Sequence, residues 1–293
     1  MKVLIPVDGS RLSLKAVELF KARAAGLENP PELKLITVLR PPPARLEALV
    51  GYEGAKRAWD AEGARLLEPA QEKLEGIPHE TEIIYGHPGR TIAKAAADSN
   101  ADLIIMGARG ASEVESFFLG SVSRAVLEYS TLPVLIARGE ILPEKKNLTV
   151  AVAVDASDYG AAAARFIGAH PEMMGPKPLV KVICVTPDRG NAKSDDKLIE
   201  KGQERYAEED EELWHRAADP VLAILQSSGI EAEGVHLTGR PAETIASWAE
   251  QNADLLVMGS RGYGRIKSAV LGSTATRAGA LTKLPVLLIR IPE

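Results

Sequence analysis

Two short glycine-bearing segments are the part of this chain most suited to chemistry. The first reads Gly107-Ala108-Arg109-Gly110, then nine residues, then Gly120-Ser121. The second reads Gly259-Ser260-Arg261-Gly262, then nine residues, then Gly272-Ser273. Glycine lets the backbone approach a ligand without a Cβ in the way and reaches φ values that other residues avoid. Successive N–H groups in such a loop form a concave anion site. A helix opening at Gly-Ser adds free N–H groups and the positive end of its dipole. Ser121 and Ser273 each contribute a hydroxyl donor at the same place. The chemistry this suggests is capture of a phosphate-like group. Glycines that only form a turn and seat a helix on a strand would look similar in one copy. The whole pattern occurs twice, each time after an apolar strand-like run, and that favours the anion cradle.

The loops differ in charge. Between the first glycine and the serine, the first segment sets Arg109 against Glu113 and Glu115, whereas the second carries Arg261, Arg265 and Lys267 with no acid. A triphosphate should therefore prefer the second loop. His87 and Arg240 occupy matching positions after a later strand in each half; either could reach a phosphate, although surface loop residues without a ligand role are commoner.

Catalytic equipment is not recognisable. The chain has no GxxxxGK[ST] segment and so lacks the lysine that such loops place on terminal phosphates. No nucleophile–His–acid set stands out, and the five histidines (79, 87, 170, 215, 236) include no pair at i, i+4 that would suggest zinc. No catalytic residue and no metal ligand is assigned.

The elements that position these loops are duplicated. IIMGARG (104–110) returns as LVMGSRG (256–262), LPVLIAR (132–138) as LPVLLIR (284–290), and GHPGRTIA (86–93) as GRPAETIA (239–246). Gly259 follows Gly107 by 152 positions, as Gly272 follows Gly120. These matches imply two domains, 1–142 and 146–293, joined near ILPEKKN (141–147). In the first, strands are expected at 2–7, 33–39, 80–85, 102–106 and 133–137. Helices are expected from 11, over 44–75 with a kink at Pro69, over 90–98 and over 121–129. Ser10 or Asp8 is a candidate cap for the first helix. The second domain repeats the plan with strands at 148–154, 179–185, 232–237, 255–258 and 286–289. Its long Glu-rich helical stretch, 201–226, reads as a solvated face. Alternating strands and helices argue for parallel sheets covered by helices on both faces.

The bulk numbers set limits. With 45% hydrophobic and 26% charged residues, the chain can bury ordinary cores. A formal net charge of -5 gives no basis for binding nucleic acid. Cys184, the one cysteine, lies in an apolar run and is expected to be buried packing. No apolar stretch approaches the ~20 residues of a membrane span. The first residues enter a strand with no signal-like apolar region, so a cytoplasmic location is expected.

The pattern G-x-x-G, nine residues, G-[ST], before a helix and a final PVL strand, resembles the universal stress protein family, ATP-binding branch, over nearly the whole chain. The resemblance implies two tandem Rossmann-like domains, each an open five-stranded parallel sheet of order 3-2-1-4-5. It implies ATP (or ADP or AMP), with Mg²⁺, lying across the strand ends. It also implies an acidic contact from Asp8 and Asp155 and an adenine contact near Val38 and Val185. The function expected from it is nucleotide-dependent regulation in a stress response. The alternatives are a slow ATPase or a structural pseudo-dimer with vestigial loops. Single-domain relatives pair through their last strands, so Val134–Ala137 and Val286–Ile289 are expected to pair within one chain, with further homodimerisation left open.

Overall fold

Short runs of β-branched and aliphatic residues between helical segments are suited to strands buried on both faces, and the fold uses them so. The computed structural model describes all residues except 26, 28, 109–118, 139–146, 189–196, 261–270 and 292–293, with backbone only at 197–204. The chain falls into two compact units, Met1–Glu144 with Arg290–Glu293, and Lys145–Ile289.

The first unit runs β1 (Lys2–Pro6), α1 (Arg11–Ala24), β2 (Glu32–Leu39), α2 (Ala44–Lys73), β3 (Glu80–Tyr85), α3 (Pro88–Asp98), β4 (Leu103–Gly107), α4 (Ser121–Tyr129) and β5 (Val134–Ala137). Its strands lie in the order β3-β2-β1-β4-β5, and every neighbouring pair is parallel. Val3, Leu4 and Ile5 on β1, like Ile104 and Ile105 on β4, are fully buried. β3, at the sheet's outer edge, is exposed at Glu80, Thr81 and Glu82.

The second unit runs β6 (Thr149–Val154), α5 (Asp158–Ala169), β7 (Leu179–Thr186), α6 (Lys197–Ser227), β8 (Glu231–Thr238), α7 (Pro241–Asn252), β9 (Leu255–Gly259), α8 (Ser273–Leu281) and β10 (Val286–Ile289). Its order is β8-β7-β6-β9-β10, again parallel throughout. The registers repeat: Pro6 faces Ile36 as Ala153 faces Ile183, and Ile104 faces Val134 as Leu256 faces Val286. The two domains are thus one fold built twice, as the repeated segments implied.

One expectation about helix shape is corrected. The break in α2 lies at Gly51 (φ 73, ψ 165), and Pro69 sits inside the helix without non-helical angles. Only glycine tolerates such a φ cheaply. The carbonyl that Pro69 leaves without a donor belongs to Arg65, an exposed residue, so solvent can satisfy it. On α6 the expected solvated face is present: exposed His215 lies 3.2 Å from Glu211 and 3.0 Å from Asp219. Its hydrogen bond to the Asp219 carboxylate raises its pKa above the usual histidine value.

Candidate functional site

In an open parallel sheet, two strands that leave for opposite faces open a crevice at their carboxyl ends. In the first unit that point lies between β1 and β4. A cleft of about 410 Å³ is found there, within the range of small-molecule sites. Its walls come from the end of β1 (Asp8 beyond it), from Val38 on β2, from Met106 and Gly107 on β4, and from the first turns of α3 and α4.

Its lining mixes apolar side chains, among them Val38, Pro88, Ile92 and Met106, with the polar side chains of Asp8, Ser10, Ser13, Ser121 and Ser123. α4 starts at Gly120 (φ -69, ψ 167) with no side-chain cap and no acidic residue in its first turn. The first intrahelical bond comes from Arg124 N to Gly120 O at 3.0 Å. The N–H groups of residues 121–123 therefore have no partner within the helix. They give the cleft a partial positive charge, while none of its described lining residues is cationic.

The turn between β1 and α1 holds Asp8 in place. Ser10 N donates to Asp8 Oδ1 at 3.0 Å, and Ser13 N donates to Ser10 Oγ at 3.2 Å. Ser10 is therefore the helix cap, and the Asp8 carboxylate is left exposed. The Ser13 hydroxyl donates to Ser10 O at 2.9 Å and accepts Asp8 N at 3.3 Å. Partial burial pushes the Asp8 pKa up, but hydrogen bonds from Ser10, Ser13 and nearby backbone N–H groups outweigh it and hold the carboxyl below 3.8. Asp8 is a carboxylate at neutral pH and a poor proton acceptor.

The second unit places the corresponding residues alike. Asp155 follows β6 and accepts hydrogen bonds from Ser157 N at 3.3 Å and Ser157 Oγ at 2.5 Å. Val185 faces Leu237 on β8 as Val38 faces Ile84 on β3. α8 opens at Gly272 (φ -64, ψ 153), again without a side-chain cap or an acid in the first turn. Gly272 N donates to the carbonyl of buried Ser260 at 2.7 Å, which closes the base of the loop after Gly259.

The structure thus gathers Asp8, Val38, Gly107, Gly120 and Ser121 around one cleft. Asp155, Val185, Gly259, Gly272 and Ser273 stand at the matching strand and helix ends of the second unit. Arg109, Gly110, Arg261 and Gly262, and the charged residues Glu113, Glu115, Arg265 and Lys267, lie outside the described residues. Gly107 lines the cleft and also has a packing reason for being glycine. A Cβ there would stand 2.1 Å from the carbonyl oxygen of Leu12, so α1 packs directly on this strand end. Neither Gly107, Gly120, Gly259 nor Gly272 has positive φ. Sequence reasoning missed Ser13 and the wall residues Pro88, Ile92 and Met106. The S-x-x-S spacing of Ser10 and Ser13 was the available signal. His87 and Arg240 are exposed backbone N-caps of α3 and α7 that make no side-chain cap bond.

Comparison with known proteins agrees with this architecture. The sequence profile of the universal stress protein family matches residues 1–138 and again 147–290. Universal stress protein YxiE of Bacillus subtilis is 33% identical over 147 residues, which is 47% of this chain and 98% of that protein. A Mycobacterium tuberculosis universal stress protein is 23% identical over 298 residues, 98% of this chain and 96% of its own. Among solved structures, a universal stress protein from Archaeoglobus fulgidus aligns with TM-score 0.67 at 25% identity, covering 99% of this chain and 98% of that one.

Proposed function

The chain belongs to the universal stress protein family, and from that premise we propose that it is a nucleotide-responsive regulator whose two domains, 1–142 and 146–293, each bind ATP or a close adenine nucleotide. The observation that carries this reading is the cleft of the first unit, which opens onto the uncapped start of α4. Its apolar side chains at Val38, Pro88, Ile92 and Met106 suit a flat base. Phosphates belong at that helix start, where they meet free N–H groups and the dipole. Asp8, ionised and exposed, would repel them directly. It fits the neutral donors of the ribose or base, or a Mg²⁺ ion that takes its other ligands from phosphate and water. Asp155 has the same role in the second domain.

Binding rather than turnover is the function this arrangement supports. Among the described residues lining the cleft, the one carboxylate is held below the usual range and is a weak general base. The three cationic side chains of residues 261–267 add Coulomb attraction that the first loop, with a net −1, lacks. The second domain is accordingly proposed as the tighter site.

The test is thermal unfolding of the full chain with and without millimolar ATP and Mg²⁺, alongside mass spectrometry of small molecules released from fresh protein. ATP at 100 times its Kd adds about 2.7 kcal/mol, a rise in Tm of roughly 5 °C or more for domains of this size. No shift with ATP, together with no nucleotide released, would reject the reading.

A further inference from the structure

The start of α2 is built unlike the other helices among the described residues. Gly51 interrupts the helix with φ 73 and ψ 165, and a Cβ there would find nothing within 4 Å. On either side of that break the side chains are apolar and bare: Leu49 is 84% exposed, Val50 48% and Tyr52 63%. Beyond the break α2 is pinned to the sheet. Trp59 Nε1 donates to Arg40 O at 2.9 Å, and Tyr85 OH donates to Asp60 Oδ1 at 2.5 Å. Before the break, among the described residues, the segment 44–50 is tied at its start to Pro43 O, which accepts from Leu46 N at 2.8 Å and from Glu47 N at 3.3 Å.

The tethers at both ends set where this segment can go. Arg40 lies two residues past Val38, which lines the cleft. From Val38 to Ala44 the chain spans at most about 21 Å. From Trp59, bonded to Arg40, back to Gly51 is about 12 Å of helix. Residues 44–50 form a rod of about 10 Å whose start is tethered within that span of Val38 and whose end is tethered at the Trp59 anchor. Aliphatic side chains left in water on a rod with a glycine hinge favour any position that buries them.

We propose that residues 44–50 are a flap that turns about Gly51 when nucleotide enters the first cleft and lays Leu49 and Val50 over the base. The inference rests on the nucleotide reading above and adds a closing step to it. Once closed, the flap shields the apolar end of the ligand, slows its release, and presents a changed surface at the end of the sheet.

Hydrogen–deuterium exchange on the full chain, with and without saturating ATP and Mg²⁺, tests this. Amides 6–13, at the Asp8 turn, report occupancy of the cleft, and amides 44–52 report the flap. The expected result is slower exchange in both. In Leu49→Ser/Val50→Ser, whose side chains are already exposed, the unliganded Tm should hold. The ATP concentration that half-protects 6–13 should rise at least about tenfold. Protection of 6–13 without protection of 44–52, or an unchanged midpoint in the double variant, overturns the flap and leaves the site standing. Protection of neither overturns both. Protection of 44–52 that grows with protein concentration in the absence of ATP assigns the apolar patch to self-association and also overturns the flap.

Discussion

The turns after β1 and β6 have the same job and are held by different means. In the first, Gly9 takes φ 73, where glycine is at ease; in the second, Ala156 takes φ 59 at the matching position. The first is tied by Ser13, which bonds both Asp8 N and Ser10 O. At the corresponding place the second has Gly160, where a Cβ would already lie 3.0 Å from Val154 Cγ1 and from Val221 Cγ2. A serine there would crowd both valines, and in this turn Ser157 bonds Asp155 itself. The lesson is that duplication preserves a backbone geometry, here the one that presents a carboxylate at the strand end. The side chains enforcing it are free to diverge, even at the cost of a strained alanine.

Substitution can break or sharpen this comparison. The largest effect belongs to Gly107→Ala, whose new methyl group meets the Leu12 carbonyl. Overpacking against backbone should cost about 3 kcal/mol of first-domain stability in a denaturant titration. A stable variant impaired only in ATP binding would return Gly107 to a purely ligand-facing role. Next come the turns. Ala156→Gly should stabilise the second domain by about 1 kcal/mol, and Gly9→Ala should destabilise the first by a similar amount. Equal and negligible effects would show that the two turns are not strained differently.

The smallest effect is chemical. Thr37 and Cys184 occupy the same register position on β2 and β7, both buried. Burial first, then the charges of Asp155 and Asp210, push the Cys184 thiol up to about 11. The thiolate is therefore scarce at neutral pH and gains weight only as pH rises toward that value. Iodoacetamide at pH 7.4 should leave native protein unmodified by intact mass and add one group after unfolding. Rapid native labelling would show that β7 opens around Cys184.

Much of this was legible in sequence, for physical reasons that vary by feature. β5, β10 and α4 could be placed to the residue or nearly so because apolar runs and a Gly-Ser helix start are local signals. The bend in α2 was assigned to Pro69 because proline's cost is local, whereas the left-handed angle of Gly51 depends on how the flanking segments are held. The packing role of Gly107 escapes the sequence because its contact with Leu12 joins residues 95 positions apart. Ser13 reads as an ordinary polar residue in a helix until the Asp8 turn folds back onto it. The cleft's apolar side chains Val38, Ile92 and Met106 come from three separate elements, and no window of sequence contains them together.

The central claim is that the uncapped starts of α4 and α8 hold the anionic tail of a nucleotide. It is tested most directly by calorimetric titration of ATP and of adenosine into the full chain and into Ser121→Asp/Ser273→Asp. An acidic side chain in the first turn of a helix is stabilising by about 0.3–1 kcal/mol, so the variant should melt no lower than the parent. ATP affinity should fall at least about a hundredfold as carboxylates take the phosphate positions, with adenosine affinity unchanged. Undiminished ATP binding in a folded double variant would contradict the account.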